Sequence, residues 1–191
     1  MTVRRSRLTV LLGALLCAAS LFAQEVPAQE TGAQQGESGQ EGPREVERPG
    51  RTGLPLPRFV SLASDEVNLR AGPGSQYPIE WVYRRRSMPV EVIDEFDTWR
   101  RIRDWEGTIG WVHGSLLSGR RTLRVLGEAG ELIGLHRDPD EGSPLVAQVE
   151  AGVVGDLERC SGGWCQATLG GFEGWLRRQD FYGTLPKETL E

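Results

Sequence analysis

One stretch decides the fold: Val67-Asn68-Leu69-Arg70-Ala71-Gly72-Pro73-Gly74-Ser75-Gln76-Tyr77-Pro78. Its first four residues alternate between apolar and polar side chains, which predicts a half-buried β-strand. The Gly-Pro-Gly sequence then ends the strand, because proline fixes one backbone angle and glycine accepts the positive φ values of a tight loop. Tyr77 and Pro78 offer a flat apolar surface at the far side of that loop.

The second half of the chain contains a diverged copy of the first. Matched positions lie 66, then 65, then 64 residues apart, and each one-residue step falls where a loop is expected. The matched positions include Leu69 with Leu135, Pro73 with Pro139, Trp99 with Trp164, and Gly110-Trp111-Val112 with Gly174-Trp175-Leu176. Such a regular drift indicates that the sequence contains one structural unit twice.

Both units resemble the bacterial SH3-like (SH3b) domain family. The resemblance is carried by Val-Asn-Leu-Arg-Ala-Gly-Pro-Gly-Ser at 67–75, Gly-Trp-Val at 110–112 and Leu-Leu at 116–117. The second copy departs from this pattern at 135–140, where Leu-His-Arg-Asp-Pro-Asp replaces Leu-Arg-x-Gly-Pro-Gly. The family implies small, mostly antiparallel barrels that serve as targeting or binding modules, often beside cell-wall enzymes.

We therefore predict an all-β chain with two tandem small SH3-like barrels after a signal peptide and a disordered linker. The predicted boundaries are 1–23 for the signal peptide, 24–57 for the linker, 58–121 for the first domain, 122–185 for the second, and 186–191 for a tail. A barrel of about 60 residues buries only about 60% of its chain surface and is marginally stable alone. We expect the two barrels to touch, because a shared interface would stabilise both.

The N-terminus has the pattern of an export signal. Three arginines among the first seven residues precede an uncharged, leucine-rich segment from Leu8 to Phe22, and Ala23 offers a small residue for cleavage. An uncleaved membrane anchor is the alternative, although the apolar run is shorter than the ~20 residues that span a bilayer. We predict export across the inner membrane to the periplasm, with membrane contact only through an uncleaved signal segment.

Residues 24–57 contain mainly Gln, Glu, Gly, Pro and Arg. This composition predicts a disordered linker, because few apolar side chains are present to offset the entropy lost on folding. The Leu-Pro-Leu-Pro sequence at 54–57 is interpreted as a stiff spacer, with a proline-rich ligand for another domain as the alternative.

Charge differs between the two units. Residues 58–124 contain eleven arginines and nine acidic residues, whereas residues 125–185 contain four arginines and ten acidic residues. The formal net charge of the whole chain is −5. We predict no nucleic-acid partner, because neutralisation of phosphates dominates the affinity of nucleic-acid-binding proteins.

Cys160 and Cys165 flank a glycine-rich tip of four residues, which places them on facing strands of one hairpin. We predict a structural disulfide; a redox pair is the alternative, although redox motifs usually have two intervening residues at a helix start. A disulfide leaves no thiolate for nucleophilic catalysis, and the two histidines show no metal-ligand spacing. The sequence therefore predicts no enzyme activity, no catalytic residues, no cofactor and no metal site.

Tryptophans that occur in both units, at 99 and 164 and at 111 and 175, are expected to pack in or near the core. Aromatic residues confined to the first unit are better candidates for a ligand surface. The arginines of the first unit are interpreted as a solvated face, as a strip that recognises carboxylates, or as a surface that docks on the acidic second unit.

The predicted ligand-binding residues are Arg70, Tyr77, Trp81, Arg101 and Trp105. They combine large aromatic contact area with guanidinium groups that orient carboxylates. The predicted partner is peptidoglycan or a periplasmic protein or peptide. The alternative is a structural adaptor that binds only another protein.

Overall fold

The computed structural model describes residues 48–191 of the chain. The predicted signal peptide and most of the predicted linker lie outside these residues. A short hairpin pairs β1 (Arg48–Pro49) with β2 (Pro55–Leu56). It precedes two separate antiparallel sheets of seven strands each.

The first sheet is built from the strands β3 (Arg58–Leu62), β4 (Val67–Arg70), β5 (Ile79–Tyr83), β6 (Pro89–Phe96), β7 (Trp99–Arg103), β8 (Ile109–His113) and β9 (Leu117–Ser118). Their order in the sheet is β5-β4-β8-β7-β6-β3-β9. A 3₁₀ turn over Gly114–Leu116 joins β8 to β9.

The second sheet is built from β10 (Thr122–Val125), β11 (Leu132–His136), β12 (Leu145–Glu150), β13 (Val154–Ser161), β14 (Trp164–Leu169), β15 (Phe172–Arg177) and β16 (Phe181–Tyr182). Its order, β12-β11-β15-β14-β13-β10-β16, repeats the order of the first sheet strand for strand. The predicted all-β fold and the predicted duplication of one unit are therefore confirmed.

Each sheet closes around its own core. Buried side chains of the first core are Leu56, Leu62, Val67, Leu69, Tyr83, Met88, Val90, Val92, Ile102 and Val112. Those of the second are Leu123, Val125, Leu135, Val149, Leu157, Cys160, Cys165, Ala167, Leu169, Leu176 and Phe181. Residues 48–191 contain no helix that is long and apolar enough to cross a membrane.

The repeated Gly-Trp sequence has a steric explanation. A Cβ atom on Gly110 would lie 2.6 Å from Leu69 Cγ and 3.0 Å from the carbonyl oxygen of Arg70. At the equivalent Gly174 it would lie 2.7 Å from the carbonyl oxygen of His136. Contacts of 2.6 and 2.7 Å are too short for a Cβ atom, so glycine is required where β4 meets β8 and where β11 meets β15.

Residues 50–57, which the sequence assigns to the linker, pack on the first barrel. Leu56 is buried in its core. The side chain of Glu95 is only 1% exposed, and Thr52 donates to it from its backbone nitrogen at 2.8 Å and from its hydroxyl at 2.9 Å. Arg58 Nη2 donates to the same carboxylate at 2.6 Å, and Arg100 Nε lies 3.3 Å from it.

Glu95 is therefore a buried anion with several donors. Burial opposes its ionisation, but the hydrogen bonds from Thr52 and Arg58 outweigh that effect and lower the pKa of the carboxyl group. This carboxylate ties the residues before the barrel to strand β6.

The predicted tail also belongs to a folded domain. The backbone nitrogen of Cys160 donates to the carbonyl oxygen of Leu190 at 2.9 Å, and Leu190 packs against the second core. Arg121 Nη2 donates to Glu188 at 2.9 Å, and this ion pair contributes to lowering the pKa of Glu188. The partners of these residues come from distant parts of the sequence.

The predicted disulfide is confirmed. Cys160 and Cys165 lie opposite each other on β13 and β14, and their sulfur atoms are bonded. The bond closes a loop of only a few residues, for which chain entropy gives about 2 kcal/mol of stabilisation.

The two barrels share a polar and aromatic contact, as expected from their small size. Ser61 donates to the carbonyl oxygen of Arg120 at 2.6 Å, so Thr122 donates the 2.6 Å hydrogen bond between the two buried hydroxyl groups. Tyr182 of the second barrel donates to the carbonyl oxygen of Arg103 at 2.8 Å. Its ring packs edge-on against Phe59, with 4.9 Å between centroids.

We predict that Glu95→Gln lowers the free energy of unfolding at pH 7 by about 2–4 kcal/mol, because two guanidinium groups lose a buried anion. The folded-state pKa of Glu95 is lowered, so its contribution is complete above the ordinary glutamate pKa of about 4.3 and declines as pH falls further. Denaturant unfolding across pH 3–7 should show the wild-type and variant curves converging at the acidic end. The exposed Glu80→Gln serves as control; equal losses in both variants would contradict the assignment.

We predict that Tyr182→Ala destabilises both barrels, although Tyr182 belongs to the second. The variant loses a hydrogen bond and an aromatic contact to the first barrel, at a cost of about 2 kcal/mol. Hydrogen exchange should accelerate in the first core as well as in the second. Tyr182→Phe, which keeps the ring, should have a smaller effect. Faster exchange in the second barrel alone would show that the barrels are stable independently.

Candidate ligand-binding face

A row of three side chains crosses the outer face of the first barrel. Arg101 on β7 and Arg70 on β4 both lie directly opposite Trp111 on the intervening strand β8. Residues opposite each other in an antiparallel sheet share one face. We call these three residues the arginine–tryptophan row. Ile79 on the edge strand β5, 47% exposed, extends the row by one position.

Arg70 has a defined position because it binds the loop that follows it. Its Nη1 atom donates to the carbonyl oxygen of Tyr77 at 2.6 Å and to that of Ser75 at 3.1 Å. The ring of Tyr77 covers Gly72, where a Cβ atom would lie 2.5 Å from the ring. The Gly-Pro-Gly loop therefore depends on Arg70 and on a missing side chain at Gly72.

Arg101 is exposed, and no hydrogen bond or ion pair holds its guanidinium group within residues 50–191. Asp94 lies opposite it on β6, but that carboxylate accepts from the backbone nitrogen of Glu95 at 2.8 Å. Trp111 is half-buried between the two arginines, and no guanidinium group of the described chain lies over its ring. Arg101 can therefore bind an external anion without breaking an existing contact.

Tyr77 and Trp81 lie beside this row. Tyr77 is 40% exposed on the loop bound by Arg70, and Trp81 is 55% exposed on the edge strand β5. Trp81 lies opposite Leu69, and a register shift separates this pair from the pair formed by Arg70 and Ile79. The structure thus brings Arg70, Tyr77 and Arg101 together with Trp111, and it places Trp81 at the neighbouring sheet edge.

Trp105 lies elsewhere. It is half-buried against the first core, and its ring centroid is 6.5 Å from that of Tyr83. The guanidinium group of Arg124, in the second barrel, lies over the Trp105 ring, with its carbon 4.6 Å from the ring centroid. Burial lowers the pKa of Arg124 there. Trp105 is therefore engaged in the contact between the barrels and is not included in the candidate ligand-binding face.

The other arginines of the first barrel serve different contacts. Arg100 and Arg103 pair with Glu95 and Glu91 of their own barrel. Of this series, Arg85 contacts the second barrel, donating to the carbonyl oxygen of Gly152 at 3.0 Å. The most exposed arginines fit the interpretation as a solvated face. Arg85 docks on the second barrel through a backbone carbonyl oxygen and not through an acidic side chain.

The equivalent face of the second barrel has different chemistry. Gln166 and His136 lie opposite Trp175, in the register that Arg101 and Arg70 have opposite Trp111. Gln166 donates to Glu173, and His136 Nδ1 donates to the carbonyl oxygen of Ser143 at 3.2 Å. Arg159 lies over Trp175, 5.2 Å from its centroid. These side chains are already engaged within the barrel.

Trp111 is not among the predicted ligand-binding residues. It was expected to pack in or near the core because it recurs as Trp175, but neither tryptophan is among the side chains that pack against the two cores, and both are half-buried on the outer faces. The strand alternation gives the correct signal: Val112 is fully buried, so its neighbour Trp111 points to the opposite side.

A cleft of about 230 Å³ opens elsewhere on the first barrel, between the N-terminal hairpin and β9. Its lining includes Thr52, Arg58 and Arg100, whose polar groups already bind Glu95 or nearby carbonyl oxygens. No group of three His, Cys, Asp or Glu side chains within the described residues is arranged to hold a metal ion.

Two regions of the chain, residues 63–119 and 129–181, match the model of the bacterial SH3 domain. No curated protein matches the chain. Solved structures that resemble it include NlpC2 from Trichomonas vaginalis, with 11% identity, a TM-score of 0.31, and coverage of 69% of this chain and 50% of that chain. NlpC1 from the same organism has 10% identity, a TM-score of 0.31, and coverage of 65% and 45%. The chain thus spans about half the length of these structures.

Each matched region lies within one of the two seven-stranded units, beginning after its first strand, and the two regions together cover more than half of the sequence. This chain belongs to the bacterial SH3 domain family and contains two copies of the domain in tandem.

Proposed function

We propose that this protein is an exported, non-catalytic binding module that recognises cell-wall peptidoglycan through the outer face of its first barrel. Membership of the bacterial SH3 domain family supports a cell-wall-related binding module. The observation that carries the assignment to the first barrel is the arginine–tryptophan row. Arg101 in that row has no partner within the described chain, whereas the equivalent Gln166 is bound to Glu173.

The surroundings of the row fit a binding role. Tyr77 and Trp81 add exposed aromatic surface next to it, and aromatic side chains give large contact area at low entropic cost. The loop that carries Tyr77 is fixed by Arg70 on a strand of the sheet. Binding residues concentrate on loops that a rigid scaffold positions.

Export to the periplasm completes the proposal. The pattern of an export signal before residue 24 supports it, and the disulfide between Cys160 and Cys165 fits an oxidising compartment. The mass of the protein recovered from the periplasm would test processing near Ala23.

We predict that the full-length protein purified from its native compartment co-sediments with purified peptidoglycan sacculi. Tyr77→Ala and Trp81→Ala should each weaken retention by about tenfold, because a central aromatic contact typically contributes roughly 2 kcal/mol. The matched control is Phe172→Ala, which removes an aromatic side chain that is 53% exposed on the second barrel. A sedimentation assay over a range of sacculus concentrations measures these differences.

Thermal melting must show that the Tyr77 and Trp81 variants remain folded at the assay temperature. Two results together would favour the adaptor function over peptidoglycan binding. Sacculi would fail to retain the wild-type protein, and the wild-type protein would capture a periplasmic protein that the Tyr77 and Trp81 variants do not bind. Equal loss in Phe172→Ala would contradict the assignment of the ligand face to the first barrel.

A further inference from the structure

We infer that the arginine–tryptophan row binds an extended acidic peptide whose carboxylates are carried by alternate residues. The inference rests on the proposed assignment of the ligand face to the first barrel, and it names the chemistry of the ligand there. It does not depend on whether that ligand comes from the cell wall.

The charge of the row selects an anion. Arg101 is exposed and unpartnered within residues 50–191, and Arg70 donates from one terminal nitrogen only, Nη1. The other donors of Arg70 have no partner in the described chain. A guanidinium group offers a planar fork of donors that matches a carboxylate. The row can therefore bind one carboxylate at each end.

The spacing of the row selects an extended peptide. Arg101 and Arg70 stand on strands separated by one strand, so about 10 Å separates their backbones, given ~4.8 Å between neighbouring strands. Alternate side chains of an extended peptide lie about 6.8 Å apart on one face. Arg70 is held by its loop, so Arg101 is the side chain that can lean inward over Trp111 to meet a carboxylate at that separation.

Trp111 favours a peptide over a free anion. Its ring is half-buried between the two arginines and is not covered by another guanidinium group in the described chain. An uncovered indole gives apolar contact area for the peptide backbone between the two carboxylate side chains. In the second barrel, Arg159 covers Trp175, so the equivalent ring is not available in the same way.

The second barrel therefore provides an internal comparison. It keeps the tryptophan and the strand register but has His136 and Gln166 in place of the two arginines. The local acidic groups differ as well, since Glu173 lies next to Gln166. On the first barrel an acidic peptide meets Arg70 and Arg101, with Asp94 opposite Arg101. On the second it meets Gln166 bound to Glu173, and Arg159 held over Trp175.

The test is an NMR titration of the full-length protein with acetyl-Gly-Glu-Gly-Glu-Gly-amide, and with the same peptide containing glutamine instead of glutamate. The indole N–H resonance of Trp111 should shift in a saturable manner with the glutamate peptide and little with the glutamine peptide. That of Trp175 should not respond. Arg101→Gln, which introduces the residue found at the equivalent position of the second barrel, should weaken binding about fivefold.

Arg137→Gln is the matched control, because it removes an exposed arginine from the second barrel. Unchanged affinity in this control, together with the loss in Arg101→Gln, supports the inference. Equal binding of the two peptides, no binding of either, or equal losses in both variants would overturn it. If sacculi retain a protein that ignores the glutamate peptide, only this inference fails. If the peptide binds and sacculi do not, only the peptidoglycan ligand fails.

Discussion

The pairing of Arg70 with Trp111 is the constraint on which the first barrel depends. This pairing joins β4 to β8, the last strand of the meander β6-β7-β8, and β5 then pairs with the other edge of β4. Gly110 permits the close approach, because a side chain there would collide with Leu69. The same pairing directs Trp111 to the outer face between two arginines, so closure of the barrel and construction of the candidate ligand-binding face have one origin.

A small barrel cannot bury enough surface to be robust by itself, and this chain adds stabilising contacts outside each sheet. The first barrel binds the preceding hairpin through the buried carboxylate of Glu95. The second has the disulfide and the C-terminal residues around Leu190. The contact through Tyr182 then joins the two. These contacts involve none of the three residues of the arginine–tryptophan row.

The fold could be predicted from the sequence because duplication, strand alternation and glycine-rich loops are local signals. The disulfide followed from its hairpin spacing. The contacts of Glu95 and Leu190 could not be predicted, because their partners are distant in sequence and the flanking segments have a linker-like composition. Of the predicted site residues, Arg70 and Arg101 lie opposite Trp111, and Tyr77 lies on the loop that Arg70 binds. The sequence could not show that Trp105 lies outside the candidate ligand-binding face, because its contact with Arg124 forms only where the two barrels meet.

The central claim is that two barrels with the same framework differ in binding because the row across one outer face differs. Hydrogen–deuterium exchange of the wild-type protein, with and without soluble peptidoglycan fragments, tests this claim most directly. The account predicts protection of β4, the loop that carries Tyr77, and β7 and β8 in the first barrel, with no change in the equivalent strands of the second. Protection centred on β11, β14 and β15 would contradict it.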